Sequence, residues 1–379
     1  MFLDNTFFLM NKNRKLLTFQ VCRSELGTVK LKETSREDNS LLPVGFSDIQ
    51  SWVARRQAPK HRAHIEKLLR LCGCYDLEGY IRVTYALTLN DTFWVCPAAS
   101  DLTWERVSLF QNDFDETIAH LAFEGGLYGE SFSTTSPEFG TSGSFAKCWI
   151  RENGIIYLMK QGSEGERNAG LEPYSEMYAS EVAEAFCRTY VPYQTEMFRG
   201  KLVSRCPLFT DEHTGFVTIH TAARDILDPE DILSYMETYG AGDDFRRMIV
   251  LDALIINTDR HKGNYGMLFD TDTLEITGMA PVFDHNQALL PYAEEEDFQE
   301  MDAYLSERPT RIGEDFNEIA YGVLTPEIRA DLKNLSGFQF SRNRLYGLSE
   351  ERLSVLDQLV NTQIDRILHR KRLYIRGLR

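Results

Sequence analysis

The sequence lacks the features of disulfide-rich, membrane-spanning or exported proteins. It has seven cysteines, an odd and scattered set with no C-x-x-C pair, which argues against a disulfide scaffold or a zinc site. No apolar run approaches the roughly 18 residues of a membrane span. The N-terminal residues are apolar before they are basic, the reverse of a secretory signal peptide. We therefore expect reduced thiols and a cytoplasmic location, unless the protein is exported by a route that leaves no signal in the chain.

Positive charge is also scarce. The 379 residues include 41 Lys and Arg against 57 Asp and Glu, a formal net charge of −16. Such an acidic surface repels phosphate backbones and anionic lipids, so we expect no direct binding of nucleic acid. The local basic cluster over 55–62 is interpreted as a solvated helix face. The length allows two or three domains with a sizeable core.

The order of predicted elements divides the chain into three parts and indicates an α+β fold. Residues 1–124 are predicted to form an N-terminal α/β accessory module, to which no chemistry is assigned. Residues 125–209 are predicted to form a small β-rich lobe with one helix, and residues 210–379 a large helical lobe. A β-rich lobe followed by a helical lobe is typical of a nucleotide-dependent phosphotransferase.

Hydrophobic periodicity predicts the individual elements. In the first part it predicts strands over 6–10 and 16–22, a polar stretch up to residue 43, helices over 46–71 and 115–123, and β structure over 80–96 around a turn at Asn90-Asp91. In the remainder it predicts a hairpin turned at Asn153-Gly154, a helix over 173–190, strands over 202–209 and 215–220, a helix over 245–256 and a hairpin near 265–283.

The segment 257–284 carries the strongest chemical signal. A polar loop, NTDRHKGN (257–264), follows an apolar helix and precedes a hairpin that ends in Pro-Val-Phe-Asp284. Phosphoryl transfer requires a carboxylate that aligns the acceptor hydroxyl, an amide oxygen for Mg²⁺ and a second carboxylate for the metal. Asp259, Asn264 and Asp284 match this order. Each alone would be read as a turn or cap residue, but together they predict a kinase site.

His261 lies inside the same loop and has two interpretations of equal weight. It is either a buried hydrogen-bonding residue that holds the loop or a phosphate contact. A kinase also needs a lysine on a strand, held by an acid from a helix. Lys160 ends the predicted strand 155–160, and the following helix offers Glu176 and Glu181. Glu181 borders the apolar face of that helix, so periodicity alone favours Glu181 over Glu176.

The Gly/Ser-rich stretch 140–144 precedes a strand, so its backbone amides are predicted to cradle phosphates. The pattern matches neither G-x-G-x-x-G nor a P-loop, and a plain flexible linker is the alternative. The hydroxyls of Thr141, Ser142 and Ser144 are candidate sites of autophosphorylation, which would block nucleotide binding.

These segments resemble the HipA-like serine/threonine kinases, most closely the cell-translocating-kinase branch. The resemblance covers residues 125–290 by motif. It rests on SPEFGTSGSFAK (136–147), IYLMK (156–160), SEMYASEVAEAF (175–186), NTDRHKGN (257–264) and APVFDHN (280–286).

The resemblance implies a two-lobed protein-kinase-like fold, with Mg·ATP as the phosphate donor and a protein Ser or Thr as the acceptor. It implies Asp259 as catalytic aspartate, Asn264 and Asp284 as Mg²⁺ ligands, Lys160 as the ATP lysine, and Glu176 ahead of Glu181 as the helix acid. The further residues assigned to nucleotide binding are Gly143, Ser144, Lys147, His261 and, in the segment 203–206 that resembles the adenine hinge, Ser204 and Cys206.

The sequence departs from the family in two ways. Gly140 aligns with a serine that the family often phosphorylates, so that nearby hydroxyls would have to substitute for it. The toxin members act with a DNA-binding antitoxin, and no antitoxin or helix-turn-helix is evident, which leaves a separately encoded antitoxin or regulatory partner as an expectation.

Two other functions are compatible with the motifs. The loop over 258–264 also resembles that of phosphoinositide kinases, although the net charge argues against anionic headgroups. A nucleotide-binding pseudokinase scaffold is the non-enzyme alternative. The acidic run over 294–302 is predicted to be a solvated loop, with a preference for basic target sequences as its functional alternative.

Overall fold

The described part of the chain has a mixed α/β fold. The computed structural model describes residues 5–59, 64–125, 136–165, 169–226, 228–313, 315–342, 344–371 and 373. It contains three sheets and fourteen α-helices within these ranges. None of the described helices is long and apolar enough to cross a membrane. All seven cysteines lie in the described ranges as free thiols.

The N-terminal sheet is antiparallel, with the strand order β3-β2-β1-β4. Its strands are β1 (Thr6–Asn11), β2 (Arg14–Arg23), β3 (Val29–Arg36) and β4 (Phe93–Pro97). Phe7 and Leu9 alternate toward the core, as period-two side-chain geometry requires. The predicted strands over 6–10 and 16–22 are confirmed. The polar stretch that was expected before residue 43 contains the edge strand β3, in which Lys30 and Lys32 are exposed.

The helices of the first 125 residues are short. They are α1 (Ile49–Arg56), α2 (Ile65–Leu71), α3 (Leu77–Thr84), α4 (Trp104–Val107) and α5 (Glu116–Glu124). The predicted helix over 115–123 is confirmed, with Asp115 as its N-cap. The prediction of β structure over 80–96 is confirmed for residues 93–96, which lie in β4, but it is wrong for residues 80–84. These residues belong to α3, which Asp76 caps by accepting a hydrogen bond from the Gly79 N–H. Helical spacing then buries Tyr80, Ile81 and Thr84 on one face.

Arg56 corrects the interpretation of the basic cluster as a solvated face. It is buried, and it forms a bidentate ion pair with Asp91 at 2.7 and 2.9 Å. Its Nε also donates to the carbonyl of Ala86, and its guanidinium lies over the Trp52 ring. A paired and fully hydrogen-bonded guanidinium of this kind is a structural clamp. Residues 60–62 of the cluster lie outside the described residues.

Two further sheets follow in the chain. The first contains β5 (Lys147–Glu152), β6 (Ile155–Gln161), β7 (Gln194–Phe198) and β8 (Lys201–Pro207) in the order β5-β6-β8-β7. The second contains β9 (Thr214–Thr218), β10 (Gly266–Asp270) and β11 (Ile276–Met279) in the order β11-β10-β9. The predicted hairpin at Asn153-Gly154 is confirmed, since both residues adopt positive φ between β5 and β6. Strand β7 was not predicted.

The remaining elements are helical, as predicted. They are α6 (Glu172–Phe186), α7 (Ile219–Ala222), α8 (Pro229–Thr238), α9 (Gly242–Ile255), α10 (Glu295–Gln299), α11 (Met301–Ser306), α12 (Phe316–Gly322), α13 (Pro326–Asn334) and α14 (Glu350–Leu368). The acidic run that was expected to be a loop forms α10, because Glu294 and Asp297 make a capping box and carboxylates stabilise a helix N-terminus.

The chain forms two compact units, each assembled from three segments. The first unit contains Met1–Met159, Leu208–Val217 and Leu268–Thr277, and the second contains Lys160–Pro207, Thr218–Met267 and Gly278–Arg379. The predicted division into 1–124, 125–209 and 210–379 concerns functional modules and stays a prediction.

Candidate active site

Lys160, at the end of β6, lies between two carboxylates of the second unit. Its Nζ is 2.7 Å from Oε1 of Glu176 in α6 and 2.6 Å from Oδ1 of Asp284. Burial alone lowers the pKa of Lys160, but the charges of Asp284 and Glu176 outweigh burial and raise the pKa above its ordinary value. The ammonium group therefore stays charged and is held by two elements that are far apart in sequence.

The second carboxylate oxygen of Glu176 is also hydrogen-bonded. Oε2 accepts a hydrogen bond from the hydroxyl of Ser204 in β8. Glu176 and Ser204 are each 1% exposed. A buried carboxylate of this kind is stable only when it is paired and hydrogen-bonded. The Ser204 side chain therefore supports the lysine–glutamate pair, whereas the prediction had assigned Ser204 to nucleotide binding through its backbone.

Glu181 lies apart from Lys160 and contacts the C-terminal segment instead. Its Oε2 accepts from the Ser341 N–H at 2.8 Å, and its Oε1 pairs with Arg344. The preference for Glu181 from helical periodicity is therefore wrong. Buried contacts surround α6 on more than one side, so the apolar stripe alone did not indicate which acid faces the lysine.

The loop 257–264 begins where α9 ends in a left-handed residue, Ile256. The Asn257 side chain accepts from the Asp259 N–H at 3.2 Å. The Asn264 amide donates to the Asp259 carbonyl at 3.0 Å, and the Asn264 N–H donates to the His261 carbonyl at 2.8 Å. These short-range bonds bring the predicted residues Asp259 and Asn264 together on one tight loop.

Arg260 was not singled out by the sequence motifs, yet it is almost completely buried. Its Nε lies 3.0 Å from Oδ2 of Asp252 in α9. Its Nη1 donates to the carbonyls of Asn264 at 2.9 Å and Phe283 at 2.6 Å. A single guanidinium thus ties the loop to α9 and to the residue that precedes Asp284.

Asp284 has a left-handed backbone conformation, with φ of 59°. This conformation is uncommon for residues other than glycine, although Asp tolerates it better than most. The Asp284 N–H donates to the Tyr193 hydroxyl at 3.1 Å, which secures the turn. His285 is fully buried and places its Nδ1 3.0 Å from Nη2 of Arg260. Burial, aided by Arg260, holds the pKa of His285 well below its usual range, so the imidazole is neutral and Nδ1 is the acceptor.

His261 is exposed, so the interpretation of this residue as a buried loop anchor is wrong. Its Nδ1 accepts from the Gly263 N–H at 3.0 Å. The alternative, a phosphate contact, stays a prediction.

The Gly/Ser-rich loop belongs to the first unit. Gly143 has φ of +91°, and a Cβ added there would lie 2.3 Å from Nζ of Lys147, which donates to the Ser142 carbonyl at 2.7 Å. The positive φ therefore favours glycine at this position. The Thr141 hydroxyl donates to the Pro137 carbonyl and accepts from the Trp149 indole. Ser142 and Ser144 are exposed.

Cys206 lies in β8 within the segment that resembles the adenine hinge. Its side chain is buried, and burial raises the pKa of its thiol to about 12. The thiol is therefore neutral, and only backbone groups of this residue are suited to contact a base.

The fold is similar to that of a solved toxin–antitoxin protein. HipA from Shewanella oneidensis MR-1, solved with HipB and its operator DNA, aligns with a TM-score of 0.54 at 12% identity and covers 96% of this chain and 97% of that chain. The chain has a HipA-like fold. The Helicobacter pylori proinflammatory kinase CtkA aligns with a TM-score of 0.45 at 19% identity and covers 63% of this chain and 93% of that chain. No protein-family model and no curated protein matches the sequence.

The donors in this HipA-like fold suit Mg²⁺ bound together with a nucleotide. Asn264 uses its amide N–H on the Asp259 carbonyl, so the amide oxygen is the group suited to a cation, and Asp284 offers a carboxylate. An amide oxygen together with one carboxylate fits Mg²⁺, which takes one or two carboxylates and completes its shell with water and phosphate oxygens.

Proposed function

We propose that this chain is an ATP-dependent protein serine/threonine kinase that transfers the γ-phosphate to a protein hydroxyl. The observation that carries the proposal is the position of Lys160 between Glu176 and Asp284. A strand lysine paired with a helix glutamate, next to an aspartate that follows a hairpin, is the arrangement that protein kinases use to hold Mg·ATP. The HipA-like fold supports the same activity.

The loop residues have separate roles in this proposal. Asp259 aligns the acceptor hydroxyl and accepts its proton as the oxygen attacks the γ-phosphorus. Asn264 and Asp284 would hold Mg²⁺, which neutralises charge on the phosphates. Lys160 holds the α- and β-phosphates as a charge that is already oriented by Glu176, so little reorganisation is needed at the moment of transfer.

Arg260 is proposed as a positioning residue. It donates to the carbonyls of Asn264 and Phe283, one in the catalytic loop and one before Asp284. The two proposed metal-binding residues thus depend on the same guanidinium for their relative position. Transfer rates are sensitive to such positioning, because catalysis of phosphoryl transfer consists mainly of alignment and electrostatic stabilisation.

Regulation is proposed to involve a second protein and the Gly/Ser-rich loop. The HipA structure contains HipB, and we propose a separately encoded antitoxin or regulatory partner for this chain as well. Ser142 and Ser144 are the exposed hydroxyls of the loop, and they are proposed as autophosphorylation sites ahead of Thr141, whose hydroxyl is engaged on both sides.

The test is transfer of ³²P from γ-labelled ATP with Mg²⁺, to the chain itself and to a basic protein substrate, followed by phosphoamino-acid analysis. Asp259→Asn and Asp284→Asn should both abolish label on Ser or Thr. Asp270→Asn is the matched control, because the Asp270 side chain caps the turn after β10 by accepting from the N–H groups of Asp272 and Thr273. Label that survives in Asp259→Asn would refute the catalytic role of Asp259. Phosphoinositide vesicles are supplied as a third acceptor, and label only on these vesicles would indicate a lipid kinase.

A further inference from the structure

A basic segment in the second unit contacts the proposed catalytic carboxylate. The segment 307–313 follows α11 and has the sequence Glu-Arg-Pro-Thr-Arg-Ile-Gly. Nη2 of Arg311 lies 2.8 Å from Oδ1 of Asp259. The Arg311 side chain is 58% exposed and the Asp259 side chain is 28% exposed, so solvent and other proteins can reach this ion pair.

The contact has a direct consequence for the proposed kinase, on which this inference rests. Asp259 would need a carboxylate oxygen to align the acceptor hydroxyl and accept its proton. An arginine paired with that carboxylate competes with an acceptor hydroxyl for the same lone pairs. Arg311 thus occupies the carboxylate oxygen with which an acceptor hydroxyl would have to hydrogen-bond.

The residue before Arg311 is itself a phosphoacceptor of the proposed type. Thr310 is partly buried, and both hydrogen bonds described for its hydroxyl are to Ile312 in the same turn: it accepts from the Ile312 N–H at 3.0 Å and donates to the Ile312 carbonyl at 3.3 Å. Unlike the Thr141 hydroxyl, it is therefore not tied to other elements of the fold. Its Cα lies one peptide unit, about 3.8 Å, from the Cα of Arg311. Thr310 and Ile312 also line a small cavity beside Ile249 of α9 and Phe316. The segment is therefore seated close to the helix that leads into the catalytic loop.

We propose that Thr310 is phosphorylated by the chain's own active site and that this modification releases Asp259. The Thr310 hydroxyl oxygen forms a bond to the γ-phosphorus of ATP, the bond from that phosphorus to the β,γ-bridging oxygen breaks, and ADP leaves. The hydroxyl proton passes to Asp259 and then to solvent. The product is phosphothreonine directly beside Arg311.

The new phosphate would then attract the guanidinium away from Asp259. A phosphothreonine carries a charge of about −1.5 to −2 and three strong acceptor oxygens, against one negative charge on Asp259. Arginine binds phosphate in a bidentate manner. The modification therefore moves Arg311 from the catalytic carboxylate to its own neighbour, and activity toward a separate protein substrate rises.

The experiment follows the full chain during incubation with Mg·ATP. Phosphorylated residues are mapped by mass spectrometry over time, and the initial rate toward a basic protein substrate is measured before and after the incubation. The variants are Thr310→Ala and Arg311→Ala. The matched controls are Ser306→Ala, which removes a hydroxyl at the end of α11, and Arg308→Ala, which removes a guanidinium that stacks on Tyr304.

We expect phosphate on Thr310 in the wild type, and the rate of this phosphorylation per molecule should be independent of protein concentration. Because phosphate on Ser142 or Ser144 would block nucleotide binding, activity is compared in a Ser142→Ala/Ser144→Ala background, in which incubation should raise it about two- to fivefold, the range of an exposed ion pair. In that background Thr310→Ala should lose this activation but keep the initial rate, Arg311→Ala should start at the higher rate, and both controls should behave as the background protein.

Two results would overturn the inference. Transfer to the protein substrate without phosphate on Thr310 would refute it and leave the proposed function intact. A Thr310 phosphorylation rate that grows with protein concentration would refute transfer within one chain. The absence of transfer to any acceptor would instead refute the proposed function, and this inference with it.

Discussion

Replacement of Arg260 by methionine should destabilise the protein strongly. Arg260 and Asp252 form an ion pair in which the side chains are 1% and 6% exposed. In Arg260→Met, Asp252 keeps only the Asn257 amide, at 3.1 Å, among the side-chain partners described for it. Removal of one partner from a buried pair costs about 3–5 kcal/mol, because the remaining charge is uncompensated. That is a large part of the roughly 5–15 kcal/mol by which a domain is stable.

The pH dependence of this loss provides an internal check. Burial already raises the pKa of Asp252, and Arg260 counteracts part of that effect. Without Arg260 the pKa of folded Asp252 rises further above its unfolded value. The folded state then binds more protons than the unfolded state, so its stability falls as pH increases toward the folded pKa. Arg260→Met should therefore lose more stability, relative to wild type, at pH 7 than at pH 5.

The assay is urea unfolding at both pH values for four proteins: wild type, Arg260→Met, Asp252→Asn and the double variant. The double variant should be less destabilised than Arg260→Met by about 2 kcal/mol or more, because no buried charge is left unpaired. Arg311→Met is the matched control, since its pair with Asp259 is exposed and worth about 0–1 kcal/mol. A loss below about 1 kcal/mol in Arg260→Met, or strictly additive single variants, would refute the reasoning.

Two further predictions concern His285 and the acids of α6. His285 has a pKa well below its usual range, so the unfolded state takes up a proton that the folded state does not, and the free energy of unfolding falls as pH drops below about 6.5. In urea unfolding at several pH values, His285→Asn should make this decline less steep. An unchanged dependence on pH would contradict a neutral, buried His285. Glu176→Gln should reduce kcat/KM for ATP by about 10- to 100-fold, because a hydrogen bond to a charged group is worth about 1.5–3 kcal/mol. Glu181→Gln on the same helix should leave kcat/KM within about twofold, since its partners are Ser341 and Arg344; equal losses in both variants would contradict the assignment of Glu176.

Local sequence signals were sufficient to predict the elements that have a clear hydrophobic period or a characteristic turn. Strand β1 alternates buried and partly buried residues, β2 buries Leu17, Phe19 and Val21 at alternate positions, and Asn153-Gly154 has the positive φ that a tight hairpin needs. The loop from Asn257 to Asn264 was also predictable, because its spacing keeps Asp259 and Asn264 within one turn, where they share a hydrogen bond. In these cases the interactions that determine structure join residues close in sequence.

Elements that depend on distant partners were not predictable in the same way. Strand β3 exposes its lysines at an edge and is defined by pairing with β2, so its composition alone suggested a polar loop. Helix α3 contains β-branched and aromatic residues, and its N-cap Asp76 was the signal that could have identified it. Arg260 could not be distinguished from a solvated loop arginine, since Asp252 and Phe283 reach it only in the folded chain.

Two buried cations of the second unit, Lys160 and Arg260, act on the segment around Asp284. Lys160 reaches the Asp284 carboxylate from β6, while Arg260 binds the carbonyl of the preceding Phe283 and faces the following His285. The left-handed backbone at Asp284 would be unfavourable without such contacts on both sides. A shift of this segment would therefore separate Asp284 from Lys160 and break the Arg260 bond to Phe283 at the same time. The geometry of the proposed metal ligand is consequently coupled to the catalytic loop, because one guanidinium holds both.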